Sequence, residues 1–108
     1  MANTFKNQFA SAIGLTPVAV YTNPALTQAT VIGMSIANLL AVPISVSVYV
    51  TSAATNYYMI KNATIAPGGA LVPIGGDQKL VLEANDVLYV VSDTAVSADV
   101  ITSVLEIT

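Results

Sequence analysis

Cysteine, histidine, arginine and tryptophan are all missing from this 108-residue chain, and charge of either sign is scarce. Each absence closes a class of chemistry. Without cysteine there is no disulfide and no thiolate metal site, and cysteine usage says nothing of the redox compartment. Without histidine the commonest general base and the commonest metal ligand are both gone. Phosphate-directed binding of nucleic acid needs clustered Lys or Arg. The basic residues here are three scattered lysines, Lys6, Lys61 and Lys79, against six acids and a net charge of −3. No nucleic-acid partner is expected.

Charged residues make up 8% of the chain, against roughly 25% in an ordinary globular domain. Hydrophobic residues reach 55%, much of it Ala, Val and Ile. A lone subunit with so little charge has little with which to keep its surface in water. Burial of part of that surface in an assembly resolves the difficulty, so a homo-oligomer is expected. No charge falls between Lys6 and Lys61, which raises Val31–Val50 as a membrane span. Asn38, Pro43, Ser45 and Ser47 interrupt that run, it alternates from Ile44 onward, and it lacks Lys or Arg anchors. No membrane partner is expected, and the amino terminus has no continuous apolar stretch typical of a secretory signal.

Seven of the nine charged residues lie in one block, Gly75–Thr108. The block reads as three strands. Gln78–Glu83 alternates, with Leu80 and Leu82 on one face and Lys79, Val81 and Glu83 on the other. Glu83–Asp86 is a turn, because Asn85 tolerates the left-handed region and an Asp side chain bonds nearby backbone. Val87–Val91 is apolar on both faces, which predicts a strand covered on both sides. Ser92–Ser97 is a loop and Asp99–Ile107 a closing strand. The acids at 83, 86, 93 and 99 sit at strand ends, where they discourage edge-to-edge pairing.

Upstream, Pro17–Tyr21 is a strand stopped by Thr22-Asn23-Pro24. Ala29–Asn38 is a second, with Ile32, Met34 and Ile36 expected on one face and Val31, Gly33 and Ser35 on the other. Ile44–Thr51 alternates most cleanly, Ile44, Val46, Val48 and Val50 against Ser45, Ser47, Tyr49 and Thr51. After a small-residue turn at 52–56, Tyr57–Asn62 is a strand whose adjacent tyrosines face opposite sides. Ala66-Pro67-Gly68-Gly69 is a turn. Ala70–Ile74, interrupted by Pro73, reads as an edge or bulged strand, and Gly75-Gly76-Asp77 as another turn. About eight short strands at roughly ten-residue spacing predict an all-β chain folded as a single antiparallel β-sandwich, jelly-roll or immunoglobulin-like.

Residues 1–16 stand apart. Phe5, Phe9 and Ile13 are four apart, which would put them on one face of a short helix, but Gly14 and Pro17 end any helix quickly. The segment is expected as an N-terminal arm (1–16) ahead of the sandwich domain (17–108). It is either frayed or laid with Phe5 and Phe9, the chain's two phenylalanines, on a neighbouring subunit.

No motif carries catalytic chemistry, and no enzyme activity, cofactor or metal is expected. The acids at 77, 83, 86, 93, 99 and 106 each suit a turn or an outward strand position. Asp77, Asp86 and Asp93 could meet at one end of a sandwich and collect calcium, but no dense acidic loop accompanies them, and solvated turn carboxylates are the plain reading. Gly68-Gly69 and Gly75-Gly76 are turn glycines, since no Lys-Ser or Lys-Thr follows. Asn62-Ala63-Thr64 matches a glycosylation sequon without a secretory signal to make it relevant. Tyr57 and Tyr58 could anchor an interface or, less well supported by their neighbours, stack on a sugar. The candidate interface residues are therefore Phe5, Phe9, Ile13, Tyr57 and Tyr58.

MANTFKN at the start, VYTNPA at 20–25, GGDQKLVLEANDVLYVVSD, and the closing ADVITSVLEIT resemble a group of small virion structural proteins of tailed bacteriophages. These segments are strand–turn–strand units without catalytic residues, and the likeness runs over nearly the whole length. It implies location in a virion and partnership with the major capsid protein or other virion proteins. The favoured role is capsid decoration (cementing), with a neck, tail or fibre component as the alternative. A lectin-like module contacting host sugar through Tyr57 and Tyr58 is the rival from another class.

Overall fold

A computed structural model describes residues 3–75 and 79–108. The expected turn at Gly76-Asp77, the first residue of the Gln78 strand and Asp77 as a calcium ligand lie outside the described residues. The described residues form nine strands, β1 Asn3–Ile13, β2 Val18–Thr22, β3 Gln28–Asn38, β4 Ile44–Ser52, β5 Thr55–Ile65, β6 Ala70–Ile74, β7 Leu80–Leu82, β8 Val87–Ser92 and β9 Ala98–Ile107.

The strands divide into two antiparallel sheets. One runs β1-β9-β3-β6, with β7 also paired to β3, and the other runs β2-β8-β4-β5. The pairings are nested: β4 with β5, β3 with β6 and β7, β2 with β8, β1 with β9. This is one long hairpin rolled over on itself, and the roll brings β9 against β3 and β8 against β4. That connectivity is a jelly roll, which settles the choice between the two sandwich topologies. The run Val31–Val50 supplies most of β3 and β4, and no helix among the described residues is long and apolar enough to cross a membrane.

Between the sheets lies a core of Ile, Val, Leu and Met, including Val31, Ile36, Val46, Val48, Leu88, Val90, Val100 and Val104. The period-2 pattern of β4 places Ile44, Val46, Val48 and Val50 inward as the alternation requires. Its other face is better covered than a polar outer face predicts, because Ser47 and Tyr49 are also buried. In β8, Leu88 and Val90 are buried while Val87, Tyr89 and Val91 are half-buried, so the strand is cored on one side only. Its central place between β2 and β4 accounts for the apolar outer residues.

Turn chemistry follows the local residues. Asn85 takes φ +69°, the Asp86 carboxylate accepts from Glu83 N at 3.0 Å, and Asp86 N donates to Glu83 O. Gly68 takes φ +69°, where no Cβ is tolerated cheaply, and Gly69 N closes the turn on Ala66 O. Two buried asparagines pin the longer loops. Asn23 donates to the carbonyls of Thr27, Leu82 and Glu83. Asn38 donates to those of Val42, Ile65 and Ala66 and accepts from Leu40 N.

Bulges overturn several expected faces. In β3 the register with β9 shifts between Val31 and Gly33, so Ile32 is an extra residue. Val31, Met34 and Ile36 are buried together, and Ile32 leaves the face it was expected to share with Met34 and Ile36. In β2 the register shifts at Val20, which lets adjacent Val20 and Tyr21 both point inward. Residues 3–13, expected as an arm or a short helix, are an edge strand hydrogen-bonded along β9. Spacing by four is also a multiple of two, so Phe5 and Phe9 share a face in a strand as they would in a helix.

Candidate assembly surface

The outer face of the β1-β9-β3-β6 sheet is built from cross-strand rows. Phe5 lies opposite Leu105, Leu105 opposite Thr30, and Thr30 opposite Val81. Asn7, Ser103 and Gly33 form the next row, in which the Ser103 hydroxyl donates to Asn7 Oδ1 at 2.7 Å. Phe9, Ile101 and Ser35 form a third. No residue in these rows is charged. Phe5 is 74% exposed and Phe9 72%, with Val81 and Ile101 also open to solvent. A groove of about 210 Å³ opens among Phe5, Lys6, Asn7, Ile32 and Ser103, beside the β3 bulge. Aromatic and aliphatic side chains standing free in these uncharged rows make an association surface, which Asp99 bounds on the same face of β9.

Ile13 does not belong to it. It is fully buried in the core and sits beyond a register break between Ala10 and Ile13, with Ala12 at φ +56°. Its root is fixed as well. Ser97 N donates to Ile13 O and Ser92 N to Gly14 O, both at 2.9 Å.

Tyr57 and Tyr58 lie on β5, an outer strand of the other sheet, and do not join the phenylalanines. Tyr58 pairs with Tyr49 and Tyr57 with Val50, so the two face opposite sides. The Tyr49 ring lies 4.9 Å from that of Tyr58 and 5.2 Å from that of Tyr89, and the Lys61 ammonium sits 4.9 Å from the centre of the Tyr58 ring. Burial within this cluster pushes the Tyr49 phenol up from its ordinary range. Two tyrosines on opposite faces do not offer one stacking platform to a sugar.

Asp86 and Asp93 lie in turns as expected, and Glu106 departs from its outward expectation. Asp86 and Asp93 bracket β8, a six-residue strand and hence ~20 Å of chain, so they do not meet. Asp93 is held low by the backbone N–H of Ser45 and then by the Thr94 hydroxyl. No group of three or more acidic side chains among the described residues could hold a metal ion. Glu106 points inward. Its carboxylate accepts the Tyr21 hydroxyl on Oε2 and meets Lys6 Nζ at 3.1 Å on Oε1, with the carboxylate side almost buried. The Tyr21 hydrogen bond, and after it Lys6, holds the Glu106 carboxyl below its usual range. Burial and that carboxylate push the Tyr21 phenol up. Lys6 thereby ties β1 to the body of the sandwich. The signal for Glu106 lies in the alternation Val100, Thr102, Val104, Glu106, which places it on the core face.

No family model matches the chain, and no curated protein matches it. Among solved structures it is similar to a chain of the disulfide-linked pili that form Bacillus endospore appendages, with a TM-score of 0.57 and 12% identity over 99% of this chain and 87% of that one. At that identity the likeness is one of fold.

Proposed function

We propose that this chain is a non-catalytic structural subunit of a large symmetric assembly, and that the assembly is a tailed-phage virion in which it acts as a capsid decoration protein. The observation that carries the assembly reading is the set of three uncharged rows on the outer sheet face, with Phe5 and Phe9 exposed on its edge strand. The virion assignment is carried by the resemblance of the strand–turn–strand segments described above. The mechanism is burial of apolar area between subunits, at roughly 25 cal/mol per Å² before ordering costs are subtracted. A neck, tail or fibre position uses the same surface.

The likeness to a pilus chain favours a second reading, a filament subunit. The neighbour is described as disulfide-linked, whereas this chain has no cysteine. Any filament built from it would hold without disulfides.

Copy number per purified particle, measured by quantitative mass spectrometry against the major shell protein, tests the assignment. Copies numbering roughly in the hundreds support decoration, and small multiples of an axial symmetry support neck or tail. Absence from particles, together with filaments of the purified chain in the electron microscope, supports the second reading. A chain that is monomeric at every concentration and absent from particles rejects both.

A further inference from the structure

The edge strand β1 is less buried than the other long strands, including the edge strand β5, which packs Met59 and Ile60 against the core. Residues 3–9 are all exposed and Ala10 is half-buried, so this stretch adds almost nothing to the core. Its hold on the domain is main-chain pairing to β9 along one edge, the Lys6–Glu106 ion pair and the exposed Ser103–Asn7 hydrogen bond. Immediately beyond it the chain changes character. The register breaks between Ala10 and Ile13, Ala12 takes a left-handed conformation, and Ile13–Gly14 is anchored by burial and by Ser97 and Ser92. A loosely held strand is thus joined to a fixed root through a bend.

We infer that β1 is an exchangeable strand, and that in the assembly residues 3–10 of one copy pair with β9 of a neighbouring copy. The inference rests on the assembly reading above and specifies how it is achieved. The β9 edge selects its own occupant. Glu106 on β9 is nearly buried, and an ionised carboxylate left there without a cation is costly. A replacement strand must therefore bring a cation to the register position opposite Val104, where Lys6 stands. An acceptor opposite Ser103, where Asn7 stands, adds an exposed hydrogen bond. The β1 of a second copy supplies both by construction, and an unrelated edge strand does not.

Exchange conserves every contact that β1 makes, so the closed and exchanged forms differ little in bonding. The balance is tipped by the apolar area newly buried between copies when Phe5 and Phe9 are carried to the boundary between subunits. Because the donated strand and the receiving edge are different surfaces, the contact is head-to-tail. Such contacts close into rings or propagate as filaments.

The absence of cysteine makes the test clean. Asn7 and Ser103 are register partners, so one preparation carries Asn7→Cys and another carries Ser103→Cys. The two are mixed unfolded, refolded, assembled and oxidised, then run on a non-reducing gel. Exchange predicts a disulfide-linked species of twice the chain mass containing one chain of each kind. It also predicts that the double variant, Asn7→Cys with Ser103→Cys, gives a ladder of covalent oligomers from assemblies. Asn3→Cys with Ile107→Cys, another register pair, repeats the test at a second position. Ser35→Cys with Ile101→Cys, a β3–β9 pair, should close within one chain throughout. Assemblies in which the Asn7–Ser103 link closes inside single chains overturn exchange and leave the assembly reading standing. Wild-type chain that forms no assembly alone and is absent from particles overturns both.

Discussion

The hydroxyl of Tyr21 on β2 donates to the carboxylate of Glu106 on β9, an almost fully buried pair that joins the two sheets. The bulge at Val20 turns Tyr21 inward to reach it, and Lys6 from the edge strand closes the other side of the carboxylate. Core, sheet-to-sheet contact and edge strand therefore meet at one ionisable group.

That pair sets a pH window for stability. Glu106 is held below its usual range, so the unfolded chain takes up its proton first as pH falls. Its contribution is complete above about pH 4.3 and is lost as pH falls through the lower folded value. Tyr21 is raised, so its contribution is complete below about pH 10 and is lost as pH climbs beyond it. Urea midpoints across pH should show Glu106→Gln costing most near neutrality, with its difference from wild type shrinking in acid. A constant difference across the whole acid range would contradict the role given to this carboxylate.

Tyr21→Phe removes one donor from a charged acceptor and should cost about 1.5–3 kcal/mol near neutral pH. Urea denaturation at pH 7 checks it, and a loss below half a kilocalorie would mean that Lys6 alone suffices for Glu106.

Thr102 presents the opposite case. Its Oγ1 is buried and has no hydrogen-bond partner among the described residues. Thr102→Val keeps the shape and removes the unpaired hydroxyl, so it should stabilise the fold by about 1 kcal/mol. Thermal unfolding would show a rise of a few degrees, and a lower midpoint would reveal a partner for that hydroxyl.

The β4–β5 hairpin turns through Ala53 and Ala54, at φ +50° and +64°. Alanine in the left-handed region costs roughly 1–2 kcal/mol per residue, and this two-residue turn ordinarily takes Asn-Gly. Ala53→Asn with Ala54→Gly should raise stability by about 1 kcal/mol after the entropy of the added glycine is subtracted. Differential scanning calorimetry measures it directly.

Exposed and buried members of the N-terminal segment should separate assembly from folding. Ile13→Ala should cost about 2–5 kcal/mol, as a core truncation does. Phe5→Ser with Phe9→Ser should change monomer stability by about half a kilocalorie or less, since both are exposed, yet should abolish incorporation into assemblies. Normal incorporation of the double serine variant would remove those two residues from the interface.

Strand existence and turns are legible because they are written locally. The alternation of β4, the Asn85–Asp86 turn and the edge position forced by Pro73 in β6 all follow from a few adjacent residues. Bulges are not written that way. The extra residues at Val20 and Ile32 shift which side chains face inward, and no period-2 count registers an insertion that depends on the partner strand. The nature of residues 3–13 is hidden because Phe5, Phe9 and Ile13 satisfy helical and extended spacing alike. Charge alone argues for Glu106 outward, although its own strand's alternation points in. The partners that neutralise it, Tyr21 and Lys6, are distant in sequence.

The nesting of the strands has a consequence for synthesis. Asn3 pairs with Ile107, so β1 is made first among the described strands yet has no edge to join until β9 exists. The inner hairpin β4–β5 can close early, and the outermost pairing, with the largest loop to close, comes late. On a polysome, where many nascent copies crowd together, β1 of an unfinished chain waits unpaired beside finished neighbours. The order of the strands leaves β1 without its intramolecular partner for longer than any other of them.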